Sequence, residues 1–219
     1  MANYETQIVV IAGGPSGLSA AVQAAEDGAE VILLEKAAAV GGAANMGMGP
    51  LGIGTRYQKQ QMIEISVEKA FNMFMEYTHY NVDARLVKRY FEQSAETIEW
   101  LEDMGVEFEG AYRYFPKSEA TWHIVKTDQG IGPRAASFMN RALYARAQEL
   151  GVKVLLETAA RKIVMEEGKV AGVLGTDKDG NEISLNDILG TDSDEIVDLI
   201  SLKTVSYTHL RAHETLSDL

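Results

Sequence analysis

Near the start of the chain a short apolar run breaks off on a cluster of glycines, and that junction constrains the fold more than any other feature. Ile8 to Ala12 leads directly into Gly13-Gly14-Pro15-Ser16-Gly17, and an alanine-rich stretch follows as far as Asp27. A run this short and this apolar suits a strand buried on both faces of a parallel sheet. The residues after it suit a helix over roughly 15–27, with Ala20, Ala21, Ala24 and Ala25 as a small-residue face toward the sheet and Gly28 as its stop. Gly14 lets a ligand approach the backbone, and Gly17 lets the helix pack closely on the strand. Pro15 takes an early helical position where its missing N–H costs nothing. The free N–H groups of this first turn, around Ser16 and Gly17, make a natural seat for phosphate. A second strand is expected over Glu30 to Glu35, and Glu35 follows Gly17 by 18 residues. That is close to the spacing at which a carboxylate meets ribose hydroxyls, and a carboxylate there repels a 2′-phosphate. The fold class is therefore α/β and Rossmann-like, with a parallel sheet. Ala12 replaces the usual first glycine of the turn, an exchange that is tolerated if its φ stays below zero. Without Glu35, the turn would fit any doubly wound domain.

The next segment narrows the ligand. Val31-Ile-Leu-Leu-Glu-Lys36, followed by Val40-Gly-Gly-Ala-Ala-Asn-Met-Gly-Met-Gly49, resembles the FAD-binding region of the fumarate reductase and succinate dehydrogenase flavoprotein family. The resemblance implies that Gly41 and Gly42 pass close to the pyrophosphate, and that Glu35 and Lys36 belong to the cofactor-binding set. It also implies that Ala43, Ala44, Asn45, Gly47, Met48 and Gly49 line the isoalloxazine. Family members that attach FAD covalently use a histidine in this stretch. Ala43 occupies that position and the stretch contains no histidine, so FAD is expected to be held non-covalently.

The middle of the chain reads as helical. One helix is expected over Glu64–Tyr77. A second is capped by Asp83, carries Val87, Phe91, Ser94, Ile98 and Leu101 on its inner face and ends at Gly105. Glu92, Glu96, Glu99 and Glu102 read as a solvated side of that helix. Tyr112, Tyr114 and Phe115 suit a short strand or an apolar pocket. His79 reads as a loop or packing residue. His123 and Arg134 are weighed as substrate-side groups, with a structural role favoured for both. Pro133 to Leu150 reads as an amphipathic helix with Phe138, Ala142, Ala145 and Leu150 inward, closed by Gly151. A strand over Val152–Leu156 and a β-meander with turns at Gly168-Lys169 and Asp179-Gly180 complete the pattern. This order resembles the second part of the same family's FAD domain, where a backbone N–H and C=O pair with adenine. Ala160 is the candidate for that contact.

The resemblance stops near residue 184, where the family continues into a turn that closes over FAD and a capping domain that binds substrate. The expected division is an incomplete FAD-binding domain over 1–184 and a non-family tail over 185–219, with the capping domain absent. Val205–Thr215 looks like a sequencing adapter read through in frame. His209 and His213 within it have metal-like spacing but no acidic partner, so no metal site is expected. The net charge of −12 argues against nucleic acid or an anionic membrane as partner, and the absence of cysteine excludes disulfides and cysteine-held iron–sulfur clusters. Without a signal peptide or a long apolar run, the expected location is cytoplasmic. The chain therefore reads as the FAD-binding portion of a flavoprotein oxidoreductase similar to fumarate reductase. That reaction would be hydride transfer through flavin N5 to or from an unsaturated or carboxylate substrate, held through a cap domain. The alternatives are an NAD-dependent dehydrogenase and a catalytically inactive nucleotide-binding fragment. No catalytic residue emerges from the sequence.

Overall fold

The apolar runs Ile8–Ile11 and Val31–Leu34 are too short for helices and become adjacent parallel strands, in register from Ile8↔Val31 to Ile11↔Leu34. The computed structural model describes residues 2–116 and 118–187, which fall into two compact units, 2–43 with 143–187 and 44–142. In chain order the elements are β1 (Ala2–Thr6), β2 (Ile8–Ile11), α1 (Pro15–Glu26), β3 (Val31–Leu34), a 3-10 turn (Gly42–Met46), α2 (Arg56–Gln60), α3 (Val67–Tyr77) and α4 (Ala84–Asp103). They continue with β4 (Phe108–Tyr112), β5 (Trp122–Val125), α5 (Ala136–Glu149), β6 (Lys153–Leu155), β7 (Ala159–Glu166), β8 (Lys169–Thr176) and β9 (Glu182–Asp187).

The first unit holds two sheets. One is parallel, in the order β2-β3-β6, and the other is mixed, in the order β1-β9-β8-β7. Between them Ile32, Leu34, Val173, Ile183 and Leu185 form a common core, with Tyr4, Val9, Leu155 and Ala160 at its margin. The β7–β8 hairpin turns on Glu167 and Gly168, both at positive φ, as a two-residue turn between twisted strands requires. β1 was not expected. Its residues are mostly polar and exposed, but it pairs in parallel with β9 from Ala2↔Ile183 to Thr6↔Asp187. Thr6 anchors it, its buried hydroxyl donating to the Glu30 carbonyl at 2.8 Å. β9 runs three residues beyond the boundary expected at 184, and Leu185 is fully buried. Beyond Asp187 the expected tail, with its adapter-like segment, lies outside the described residues.

The second unit packs α3 and α4 around Ile53, Ile65, Ala70, Val87 and Phe91. α3 starts at Val67, later than expected, because the Ser66 hydroxyl accepts from Lys69 N–H and caps the helix there. α4 follows its apolar spacing: Val87, Phe91, Ser94, Ile98 and Leu101 are all buried. Ser94 belongs on that face because its hydroxyl accepts from Ile53 N–H at 2.9 Å and donates to the Phe91 carbonyl. Across α5 the expected phase is wrong. The buried positions are Ala136, Met139, Asn140, Leu143 and Ala147, while Ala145 is exposed. Alanines on several faces blur the period, and the polar Asn140 hides the true one by sitting inward. Among the described residues no helix is long and apolar enough to cross a membrane.

Candidate functional site

Each small residue in the turn between β2 and α1 has its own reason to be small. A Cβ on Gly17 would stand 1.8 Å from the Ala12 carbonyl oxygen, so α1 approaches β2 closely only with glycine there. A Cβ on Gly13 would press at 3.2 Å on the side chains of Glu35 and Val40. Gly14 differs. It is the N-cap of α1 with an ordinary φ of −70°, and a Cβ built on it meets nothing within 4 Å. Among the described residues nothing requires glycine at that position; a ligand approaching the backbone would.

Ala12 departs from expectation. Its φ is +84°, in the left-handed region, and not below zero. The chain must reverse sharply there, because Ala12 N–H still donates to the Leu34 carbonyl at 2.8 Å while Gly13 N–H turns to Glu35 Oε2 at 2.7 Å. The other oxygen of the buried Glu35 accepts from Ala37 N–H at 2.7 Å. The second glycine pair is tied to the same turn. Gly41 N–H donates to the Gly13 carbonyl at 2.7 Å, and the Cβ direction of Gly42 faces the Gly14 Cα at 3.8 Å. Gly41 and Gly42 adopt φ of 101° and 50° in doing so. Gly13, Gly14, Glu35, Gly41 and Gly42 are thus brought together in the first unit. Pro15 and Ser16 open α1, whose first turn carries no acidic residue and no side-chain cap, so its N–H groups and dipole end remain available. Lys36 is exposed. Ala160 lies in β7 opposite Gly175, partly buried against the core between the sheets. β7 is an edge of its sheet, so half of its backbone groups face away from β8.

In the second unit the segment after Ala43 is fixed by its backbone. Met48 and Pro50 carbonyls accept from Val125 and His123 N–H of β5 at 2.9 and 2.8 Å, and the Gly49 carbonyl accepts from the Trp122 indole at 3.0 Å. Ala136 N–H donates to the Gly47 carbonyl, and Asn140 Nδ2 donates to Asn45 Oδ1 at 2.7 Å. A Cβ on Gly49 would stand 1.9 Å from the His123 carbonyl oxygen.

Residues 7–191 match the FAD binding domain family. The chain belongs to that family. Its cofactor is FAD, and its relatives are flavoprotein reductases. It is 38% identical over 168 residues to a vinyl phenol reductase of Lactiplantibacillus plantarum, covering 76% of this chain and 33% of that protein. It is 30% identical over 169 residues to an NADH:fumarate oxidoreductase of Klebsiella pneumoniae, covering 76% of this chain and 18% of that protein. The chain therefore spans a third or less of the length of these two relatives. The fold matches the open conformation of a flavocytochrome c3 fumarate reductase with a TM-score of 0.77 and 26% identity, over 84% of this chain and 32% of that one. It matches a 3-ketosteroid dehydrogenase from Rhodococcus jostii in fold, with a TM-score of 0.76 and 24% identity, over 85% of this chain and 45% of that one.

The turn of this FAD-binding domain suits its cofactor. The space over Gly14 and the available N–H groups of α1 leave room and donors for an anion, and the Glu35 carboxyl keeps lone pairs beyond the two it spends on backbone. Other residues weighed from the sequence lie elsewhere. His79 is exposed in a loop at φ 51°, and Arg134 is exposed at φ 73°. Tyr114 and Phe115 lie outside β4 and are exposed. His123 is fully buried in β5. Burial pushes its imidazole below the ordinary value, against the opposing pull of the Thr121 carbonyl and the Glu102 charge. Glu102 is not a solvated side chain, because Arg56 and Tyr57 both bond it, the latter at 2.5 Å. Burial raises its pKa, but these hydrogen bonds outweigh that and lower it, while burial and the Glu102 bond push Tyr57 up to about 12. Thr55, Gln58 and Asn140 are also buried and polar. Thr55 and Gln58 cap α2 for each other, a Thr-x-x-Gln signature the sequence carried, while their bonds to His123 and the Ala120 carbonyl, and that of Asn140 to Asn45, cross 62 to 95 positions and were not legible.

Proposed function

We propose that the chain holds FAD non-covalently, with the pyrophosphate over Gly13, Gly14, Pro15, Ser16 and Gly17 and beside Gly41 and Gly42. Glu35 serves the ribose, with Lys36 at the rim of the site, and the β7 backbone at Ala160 serves the adenine. Ala43, Ala44, Asn45, Gly47, Met48 and Gly49 lie against the isoalloxazine, and Ala43 offers it no nucleophilic side chain. The observation that carries this reading is Gly14: a glycine with ordinary φ and an open Cβ direction, at the uncapped start of a helix. Glu35, spent in part on the turn, keeps the glycine backbone in its cradle shape before any ligand arrives. Bound FAD supplies hydride chemistry at its N5 atom. The residues of this chain bind and orient it, and their small side chains leave the ring edge approachable. The whole protein is an oxidoreductase acting on an activated C=C bond, the class to which the vinyl phenol and fumarate relatives point.

The test is Gly14→Ala beside wild type. The ligand-free variant should melt within about 2 °C of wild type, since its methyl meets no atom of the described residues within 4 Å. Its FAD affinity, followed by flavin fluorescence, should fall about tenfold or more as the methyl enters the ligand's space. Gly17→Ala should instead fail to fold with or without FAD. Unchanged FAD affinity in Gly14→Ala would sink the assignment.

A further inference from the structure

The backbone assigned to the flavin is a loop, and a loop presents carbonyls and N–H groups reproducibly only if something fixes it. We propose that His123 is the positioning residue for this segment, clamping residues 48–55 onto β5 through its backbone, its ring and Thr55. The functional meaning rests on the FAD reading above; the clamp itself stands on its own geometry.

The N–H and both ring nitrogens of His123 engage the segment or its neighbour. Its N–H donates to the Pro50 carbonyl at 2.8 Å, and its own carbonyl is where a side chain on Gly49 would collide. The Thr121 carbonyl accepts from both Gly52 N–H at 2.8 Å and His123 Nδ1 at 3.0 Å. A carbonyl only accepts, so Nδ1 carries the proton and Nε2 is left to accept. Its partner is the Thr55 hydroxyl at 2.7 Å, whose oxygen also accepts from Gln58 N–H at the start of α2. The ring lies over Gly52, where a Cβ would come within 2.8 Å of Cε1. Tyr57 and Phe108 meet the ring edge-on, with centroids at 5.9 and 6.3 Å.

A packing residue at this position would be aliphatic. A fully buried imidazole is costly unless both nitrogens are bonded. Both are, and one bond reaches Thr55 at the far end of the segment. Gly49 and Gly52 are the matching half of the device, one cleared for the His123 backbone and the other for its ring. The charged and titratable groups facing it are Glu102, Arg56 and Tyr57, which bond one another; the Glu102 charge favours the imidazolium, and burial of the ring outweighs it.

The experiment uses the 219-residue chain with Thr55→Val and Thr55→Ser. In ligand-free protein, Thr55→Val should speed amide exchange at His123 and Val125 about tenfold, the scale of a buried acceptor left unmade. Exchange at Leu33 and Leu34 in the first unit should stay unchanged. FAD should bind Thr55→Val about tenfold more weakly, and Thr55→Ser should restore both readouts. In the wild-type protein, nitrogen NMR should find His123 protonated at Nδ1 alone, a measurement that needs no variant to fold. Protonation at Nε2, or unchanged exchange in Thr55→Val, overturns the clamp. Faster exchange with unchanged FAD affinity overturns its role toward the flavin. A wild-type chain that takes up no FAD would instead refute the FAD reading and that role with it, while the exchange data still judge the clamp.

Discussion

At the scale of single residues, the site stores a small strain. Ala12 sits at φ +84°, where an L side chain pays about 1–2 kcal/mol for crowding its own carbonyl. Glycine would remove that cost but adds roughly 0.5–1 kcal/mol of chain entropy to be lost on folding. Ala12→Gly should therefore stabilise the protein by up to about 1 kcal/mol in urea titration without weakening FAD binding. A destabilised variant would mean that the alanine methyl makes a contact worth more than its strain. The glycine turn itself was legible because each of its residue types has a steric reason; the sign of φ at Ala12 was not. That angle is set by where Leu34 and Glu35 take the hydrogen bonds on either side of the turn, more than twenty positions away.

At the scale of elements, legibility followed how much of an element's reason is local. The cap, inner face and terminal glycine of α4 were readable because they lie within its own sequence, whereas the role of Glu102 was not, since its partners Arg56 and Tyr57 lie more than forty positions away. α5 was misphased because its buried polar position, Asn140, is explained by Asn45, which no periodicity connects to it. β1 was missed since it has almost no apolar pattern and exists through a strand at the other end of the domain. β9 makes the same point from the opposite side. Ser184–Asp187 lies where the resemblance reads as ending, yet Leu185 is a fully buried part of the core between the two sheets. Leu185→Ala should cost about 2–5 kcal/mol of stability by chemical denaturation. A loss below 1 kcal/mol would show that this strand is not seated as described.

At the scale of the molecule, acid reports on the buried polar groups. The folded protein holds His123 with its pKa lowered, whereas the unfolded chain titrates near 6.5. The neutral ring's contribution is complete above about 6.5 and is lost as pH falls through the lower folded value. Glu102, also lowered on folding, adds a second loss of the same sign below its unfolded value near 4.5. Urea midpoints should thus be level between pH 7 and 8 and decline in two stages on acidification. His123→Gln should flatten the first stage and leave the second. Equal slopes in the two proteins would assign the first decline to other groups.

The pairing of β1 with β9 carries a consequence for how the chain is made. Ala2 meets Ile183, so β1 emerges about 180 residues before its partner. At ribosomal speeds that is a wait of roughly ten to forty seconds, spent with an unpaired strand edge in the company of chaperones. The cradle of β2, α1 and the glycine turn can begin to assemble in that interval, but β3 gains its outer neighbour β6 only after the whole second unit has been synthesised. Synthesis therefore supplies the cradle's first strands and helix early, completes its parallel sheet with β6, and gives β1 a partner only when β9 follows.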